Sequence, residues 1–113
     1  LLKEGPYASL DLGKAGEVWQ SHSVISSWLN ELTAQVVTEN PSMDGVSGYV
    51  AESGEARWAL RTANEQGYDL PAIQASFDVR LKSQKGDTNY ATKIVAAQRN
   101  KFGGHNLNGE RID

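Results

Sequence analysis

The chain has 113 residues, no cysteine and a net charge of −3, with 39% hydrophobic residues. That is enough for one domain with its own core, and it excludes a disulfide scaffold. The acidic balance and the lack of a basic cluster with interleaved aromatics argue against nucleic acid, and no apolar run approaches a membrane span.

Taken in order, Leu1 to Leu12 form an apolar, turn-rich lead-in broken at Gly5-Pro6. Its start is neither an initiator methionine nor a signal peptide; it reads as the end of a helix begun upstream, so a longer parent protein is expected. Asp11 is a suitable N-cap for a brief helix carrying Ala15, Val18 and Trp19. A long helix is predicted from about Val24 to Thr38, with Ile25, Trp28, Leu29, Leu32 and Val36 at helical spacing and Glu31 and Gln35 off that face. Asn40-Pro41 ends it, because the residue before proline is pushed out of helical angles. Residues 41 to 53 are the least regular stretch, either a site loop or a connector. Ser53-Gly54-Glu55 opens a helix running to Gln66 and stopped by Gly67. Pro71 suits the first turn of the next, which runs to about Ser83 with Ile73, Phe77 and Leu81 on one side.

The final helix begins after Gln84-Lys85-Gly86-Asp87. From Tyr90 onward, Ala91, Ile94, Val95 and Phe102 fall near one face, with Lys93, Asn100 and Lys101 off it. Arg99 and Lys101 complement the negative helix end, and Gly103-Gly104 stop the helix. His105 follows on a tail that either turns back over its helix or reaches away. Arg99, Lys101 and His105 are then either neighbours around an anion or ordinary terminal cations beside a helix stop. The fold class predicted is all-α, about five helices with short connections. Trp19, Trp28 and Trp58 are expected in the core. A missing upstream helix would leave apolar surface open to self-association.

Other candidates carry two readings each. Ser53 and Gly54 at a helix start offer a hydroxyl and backbone N–H groups to an anion, or Ser53 is an N-cap with Glu55 favourable in the first turn. Arg80 lies beside Phe77 and Leu81, as a ligand or in a structural ion pair. His22 either binds something or is structural. Two histidines without cysteine give no metal-ligand spacing, and no nucleophile-elbow sequence supports a hydrolase.

Gln98-Arg99-Asn100-Lys101-Phe102-Gly103-Gly104-His105 resembles the C-terminal signature of decarboxylating 6-phosphogluconate dehydrogenases. Three further stretches match in order: Trp19 to Leu29; Glu52-Ser53-Gly54-Glu55-Ala56-Arg57-Trp58, which resembles the shorter-chain branch; and Arg80-Leu81-Lys82-Ser83, matched after a one-residue length difference between Lys85 and Thr88. The resemblance implies a C-terminal all-helical domain over residues 1–113, without the Rossmann domain of the parent enzyme. It further implies that Arg99 and His105 cross a homodimer interface to bind the phosphate of 6-phosphogluconate, that Arg80 faces the same phosphate, and that Ser53-Gly54 form a loop near the substrate. An arginine fork matches phosphate oxygens, and an imidazole adds a donor whose charge follows pH.

The catalytic lysine and glutamate of the family, and the binding of NAD or NADP, would lie upstream; no G-x-G-x-x-G occurs here. No catalytic residue and no metal are therefore expected in these residues, and the chain alone should be inactive. Localisation is expected to be cytoplasmic, in a dimer or higher homo-oligomer. Gln20 and Ser26 stand where the family usually has arginines. They leave open another β-hydroxyacid dehydrogenase, and a non-enzymatic helical interaction module is the alternative of a different class.

Overall fold

In the computed structural model, which describes residues 1–107, the Asp11 carboxylate accepts a hydrogen bond from the Lys14 N–H at 3.0 Å and caps α1 (Leu12–Gln20). The other helices are α2 (Trp28–Glu39), α3 (Glu55–Glu65), α4 (Pro71–Ser83) and α5 (Tyr90–Gly103). No strand occurs among the described residues, and the expected all-α class with five helices is what forms. No helix is long and apolar enough among them to cross a membrane. Residues 108–113 of the expected domain lie outside the described residues.

The second helix starts four residues later than the periodicity suggests. Ser27 accepts from the Asn30 N–H at 3.1 Å and sets the cap there. Gln20 reinforces it: its Oε1 accepts from the Ser27 N–H at 3.1 Å and from Asn30 Nδ2 at 2.8 Å. Asn30 Nδ2 also reaches the Gly16 carbonyl at 3.2 Å, so the turn between the helices is tied to both. An arginine at position 20 has no acceptor and cannot fill this role. The Gln20 departure thus has a structural account; nothing in the structure explains Ser26.

The core forms where α2 and α5 meet the irregular segment. Val36, Val37, Met43, Val46, Ala96 and Ala97 are buried together, with Leu12, Tyr90, Ile94 and Leu107 packed against them. Burying each large member is worth about 1.5–3 kcal/mol. The inward positions on the helices are often small. A Cβ on Gly16 of α1 would lie 2.8 Å from the Ala34 Cβ of α2, so the two helices approach closely only because position 16 lacks one.

This close packing overturns the expected core. Small side chains meet at the helix contacts, and the large ones splay to the rim: Trp19, Trp28 and Trp58 are 40%, 56% and 59% exposed. Leu29 and Ile25 are exposed as well, while Leu32, Ala34, Val36 and Val37 form the buried face of α2. In α5 the inward side is Thr92, Ala96 and Ala97; Ala91, Val95 and Phe102 face outward. On α4, Phe77 is buried but Ile73 is exposed.

The α3–α4 pair joins the rest mostly by polar contacts. α5 is started by a reciprocal box in which Asn89 Oδ1 accepts from the Thr92 N–H at 3.1 Å and Thr92 Oγ1 accepts from the Asn89 N–H at 2.9 Å. It stops at Gly103 with Gly104 as its cap. That places Lys101 alone among basic residues in the last turn, with Arg99 further back. Gln98 Nε2 ties α5 to α2 through the Leu29 carbonyl at 2.9 Å and Thr33 Oγ1 at 2.8 Å.

Candidate anion-binding site

Residues 50–54 are pinned one after another by three helices. The buried Ser83 hydroxyl at the end of α4 accepts from the Val50 N–H at 3.0 Å and donates to the Arg80 carbonyl at 2.7 Å. The Val50 carbonyl accepts from Gln84 Nε2 at 3.0 Å. One residue on, the Ala51 carbonyl accepts from Arg99 Nη1 of α5 at 2.6 Å. Glu52 Oε1 then accepts from Arg57 Nε at 3.0 Å and Nη2 at 2.6 Å, and the Arg57 guanidinium lies 5.1 Å from the centre of the Phe77 ring. The segment is therefore a firmly held loop.

Gly54 completes it. Its φ of 104° is a left-handed backbone that glycine adopts without a Cβ clash, and the Trp58 ring lies 3.0 Å from where that Cβ would be. The expectation that Ser53 caps α3 is overturned: the cap position is Gly54 and carries no side-chain hydrogen bond. With no side-chain cap hydrogen bond, the start of α3 leaves backbone N–H groups at the positive end of its dipole.

Arg80 and Arg99 converge on this loop. The neighbouring Ser53 hydroxyl, then Glu55's own N–H, hold the Glu55 carboxyl below the ordinary glutamate value; desolvation opposes them, and the charges of Arg80 and then Arg99 lower it by less than either hydrogen-bonding group. Arg99 is pushed below the ordinary arginine value, first by partial burial and then by the Arg80 charge, while Glu55 acts the other way. Two guanidiniums near a helix start have the chemistry to take an oxyanion. Arg80 also borders a cavity of about 310 Å³ shared with Val50, Ser76, Val79 and Val95.

Of the residues singled out in the sequence, Arg99 reaches the Ala51 carbonyl and Arg80 borders cavities with Val50 and Ala56, so both approach the segment that carries Ser53 and Gly54. His105 is placed by other contacts. Its carbonyl accepts from Asn100 Nδ2 at 2.8 Å, and its ring lies over Gly103, 3.2 Å from the position of a Cβ there. The tail turns back over its own helix and continues to Leu107, whose carbonyl accepts from Ser47 Oγ at 3.0 Å. Lys101 pairs with Glu39 at 2.6 Å instead of joining an anion site. His22 is exposed in the turn after α1, at a φ of 64°.

Sequence reasoning missed Ser83, Gln84 and Glu55 as parts of the site. The Arg80 to Ser83 step carried a signal for Ser83 and the Glu52 to Trp58 stretch one for Glu55; Gln84 had none.

No protein-family model matches the chain. Two curated proteins do. One, of Bacillus subtilis (strain 168), is provisionally named 6-phosphogluconate dehydrogenase YqeC and is 37% identical over 102 residues, covering 90% of this chain and 34% of its own length. The other, of Haloferax volcanii (strain DS2), is named an NAD(+)-dependent, decarboxylating 6-phosphogluconate dehydrogenase and is 32% identical over 108 residues, covering 95% of this chain and 36% of its own length. The chain is a homologue of 6-phosphogluconate dehydrogenases, matched along nearly all of its own length and about a third of theirs.

Proposed function

We propose that the chain is the C-terminal helical domain of an NAD(P)-dependent 6-phosphogluconate dehydrogenase and supplies its phosphate-binding side. The parent enzyme would oxidise and decarboxylate 6-phosphogluconate to ribulose 5-phosphate. Bound nicotinamide, held upstream, would supply the hydride acceptor; these residues bind and orient the substrate. The observation that supports this reading is the approach of Arg99, at 2.6 Å from the Ala51 carbonyl, and of Arg80, which borders cavities with Val50 and Ala56, to the loop at the start of α3. Two guanidiniums match the oxygens of a phosphoryl group better than point charges do. Ser53 and Gly54 offer a hydroxyl and backbone N–H groups to the same ligand.

His105 enters through the tail. Folded back over α5 it is near the end of its own domain, and released it would reach a second copy. Exposed Trp28 and Phe102, whose ring centres are 5.1 Å apart, support an apolar surface for that copy. A homodimer in the cytoplasm is the assembly this reading expects.

The test is nicotinamide reduction by the full-length protein, offered 6-phosphogluconate and then gluconate. Turnover of the phosphorylated acid alone is expected. Arg99→Ala should then reduce kcat/KM for it by about 1.5–3 kcal/mol, roughly tenfold or more, mainly through KM. An unchanged KM removes Arg99 from the phosphate site.

A further inference from the structure

The tail after α5 is fastened along its length. Gly104, at a φ of 70°, turns the chain, and its N–H donates to the Asn100 carbonyl at 2.8 Å. The Asn100 side chain takes the next residue: its Nδ2 donates to the His105 carbonyl at 2.8 Å. The Leu107 carbonyl then accepts from the Ser47 N–H at 3.3 Å and from the Ser47 hydroxyl at 3.0 Å. Leu107 itself packs against the main apolar cluster. His105 lies between these fastenings and is half-buried. Its ring rests over the last residue of α5, where a Cβ on Gly103 would come 3.2 Å from Nε2 and 3.3 Å from Cδ2. That contact is tight enough that a side chain at 103 would push the ring off its present place.

We propose that Ser47, Asn100 and Gly103 are positioning residues for His105: they clasp the tail and seat the imidazole on the end of α5, so that the histidine meets the phosphate from a fixed place. The inference rests on the reading of His105 as a phosphate ligand. An unclasped tail would have to order its backbone and its imidazole when substrate binds, and that loss of freedom weakens binding. Here the ordering is complete once the domain has folded. The seat also travels with α5. Exposed Phe102 on the same helix end belongs to the apolar surface that the reading above offers to a second copy. A copy docked there meets His105 where it already sits, and the tail need not be released. Ser47 and Asn100 hold backbone carbonyls and are not themselves offered to the substrate, so they act through His105 alone.

The experiment measures KM for 6-phosphogluconate and the unfolding midpoint in the full-length protein. The variants are Gly103→Ala, Ser47→Ala and Asn100→Ala, each made with His105 present and in a His105→Ala background. Alanine favours a helix over glycine, so Gly103→Ala should leave the midpoint unchanged or higher while it displaces the ring. Its KM is expected to rise about fivefold with kcat nearly unchanged. Ser47→Ala and Asn100→Ala each remove a hydrogen bond to the tail and should raise KM by a similar factor, with Ser47→Thr restoring it. His105→Ala should raise KM about tenfold, and in that background the other three should add nothing. If His105→Ala raises KM and the clasp variants do not, or raise it equally without His105, the positioning role is overturned and the site reading stands. A lower KM in the clasp variants would mean that the tail works released, and overturns the role as well. If His105→Ala leaves KM unchanged, the reading of His105 falls and the clasp's role with it.

Discussion

The half of the molecule built from α1, α2 and α5 and the half built from α3 and α4 are held by different physics. In the first, apolar side chains close on one another: Met43 is 0% exposed, and Val36, Val46 and Ala96 are nearly so. In the second, Phe77 and Ala63 are the buried apolar residues, and the connection to the rest runs through hydrogen bonds to residues 50–52. Apolar burial is large but non-directional. Hydrogen bonds contribute less net stability but fix direction. The candidate anion site lies where the halves meet, with Arg80 from α4 and Arg99 from α5 approaching residues 50–56.

Breaking the first half should cost most. Met43→Ala removes a fully buried side chain from the main cluster, and should lower unfolding stability by about 2–5 kcal/mol. Denaturant unfolding measures it; a loss under about 1 kcal/mol would mean that the core is not where the packing places it. The polar half should respond differently. Ser83→Ala leaves the buried Val50 N–H without its acceptor, at a cost of about 1–3 kcal/mol. The loop carrying Ser53 should loosen, so KM for the phosphorylated acid should rise more than kcat falls, with Ser83→Thr restoring part of it. Equal losses in both constants would dissolve the contrast between the halves.

Tyr90 gives the smallest effect and a pH signature. Its hydroxyl donates to the Pro41 carbonyl at 2.7 Å, and burial raises the phenol above its ordinary value. The folded state therefore holds the proton more tightly than the unfolded state. That stability is fully present below the ordinary phenol value and is lost as pH rises through the raised one. Tyr90→Phe should cost about 0.5–1.5 kcal/mol at neutral pH, and should flatten the fall in unfolding midpoint at alkaline pH. An equally steep fall in the variant would assign the alkaline loss elsewhere.

Local chemistry was legible residue by residue. Asp11 as a cap, Asn40-Pro41 as a stop, Pro71 as a start and Gly103-Gly104 as an end all act within one helical turn. The start of α2 was not, because Ser27 wins only once Gln20 reaches across the turn to its N–H. For the site, Arg80, Arg99, Ser53 and Gly54 were visible as residue types in motifs, whereas Glu55 read as an ordinary first-turn acid. Its relation to the two arginines exists only after α4 and α5 come to the same loop.

The sequence by itself determined the helical class, most of the helix ends and the residue types proposed for an anion site, since caps, breakers and charge act locally. Tertiary structure decided which faces turn inward. Gly16 and the alanines pack closely and leave the tryptophans outside, reversing what hydrophobicity alone suggests. It also decided the site, through partners 33 residues apart for Ser83 and Val50 and 48 apart for Arg99 and Ala51. A hydrogen bond between such distant residues depends on how whole helices settle against one another, and no local pattern records that.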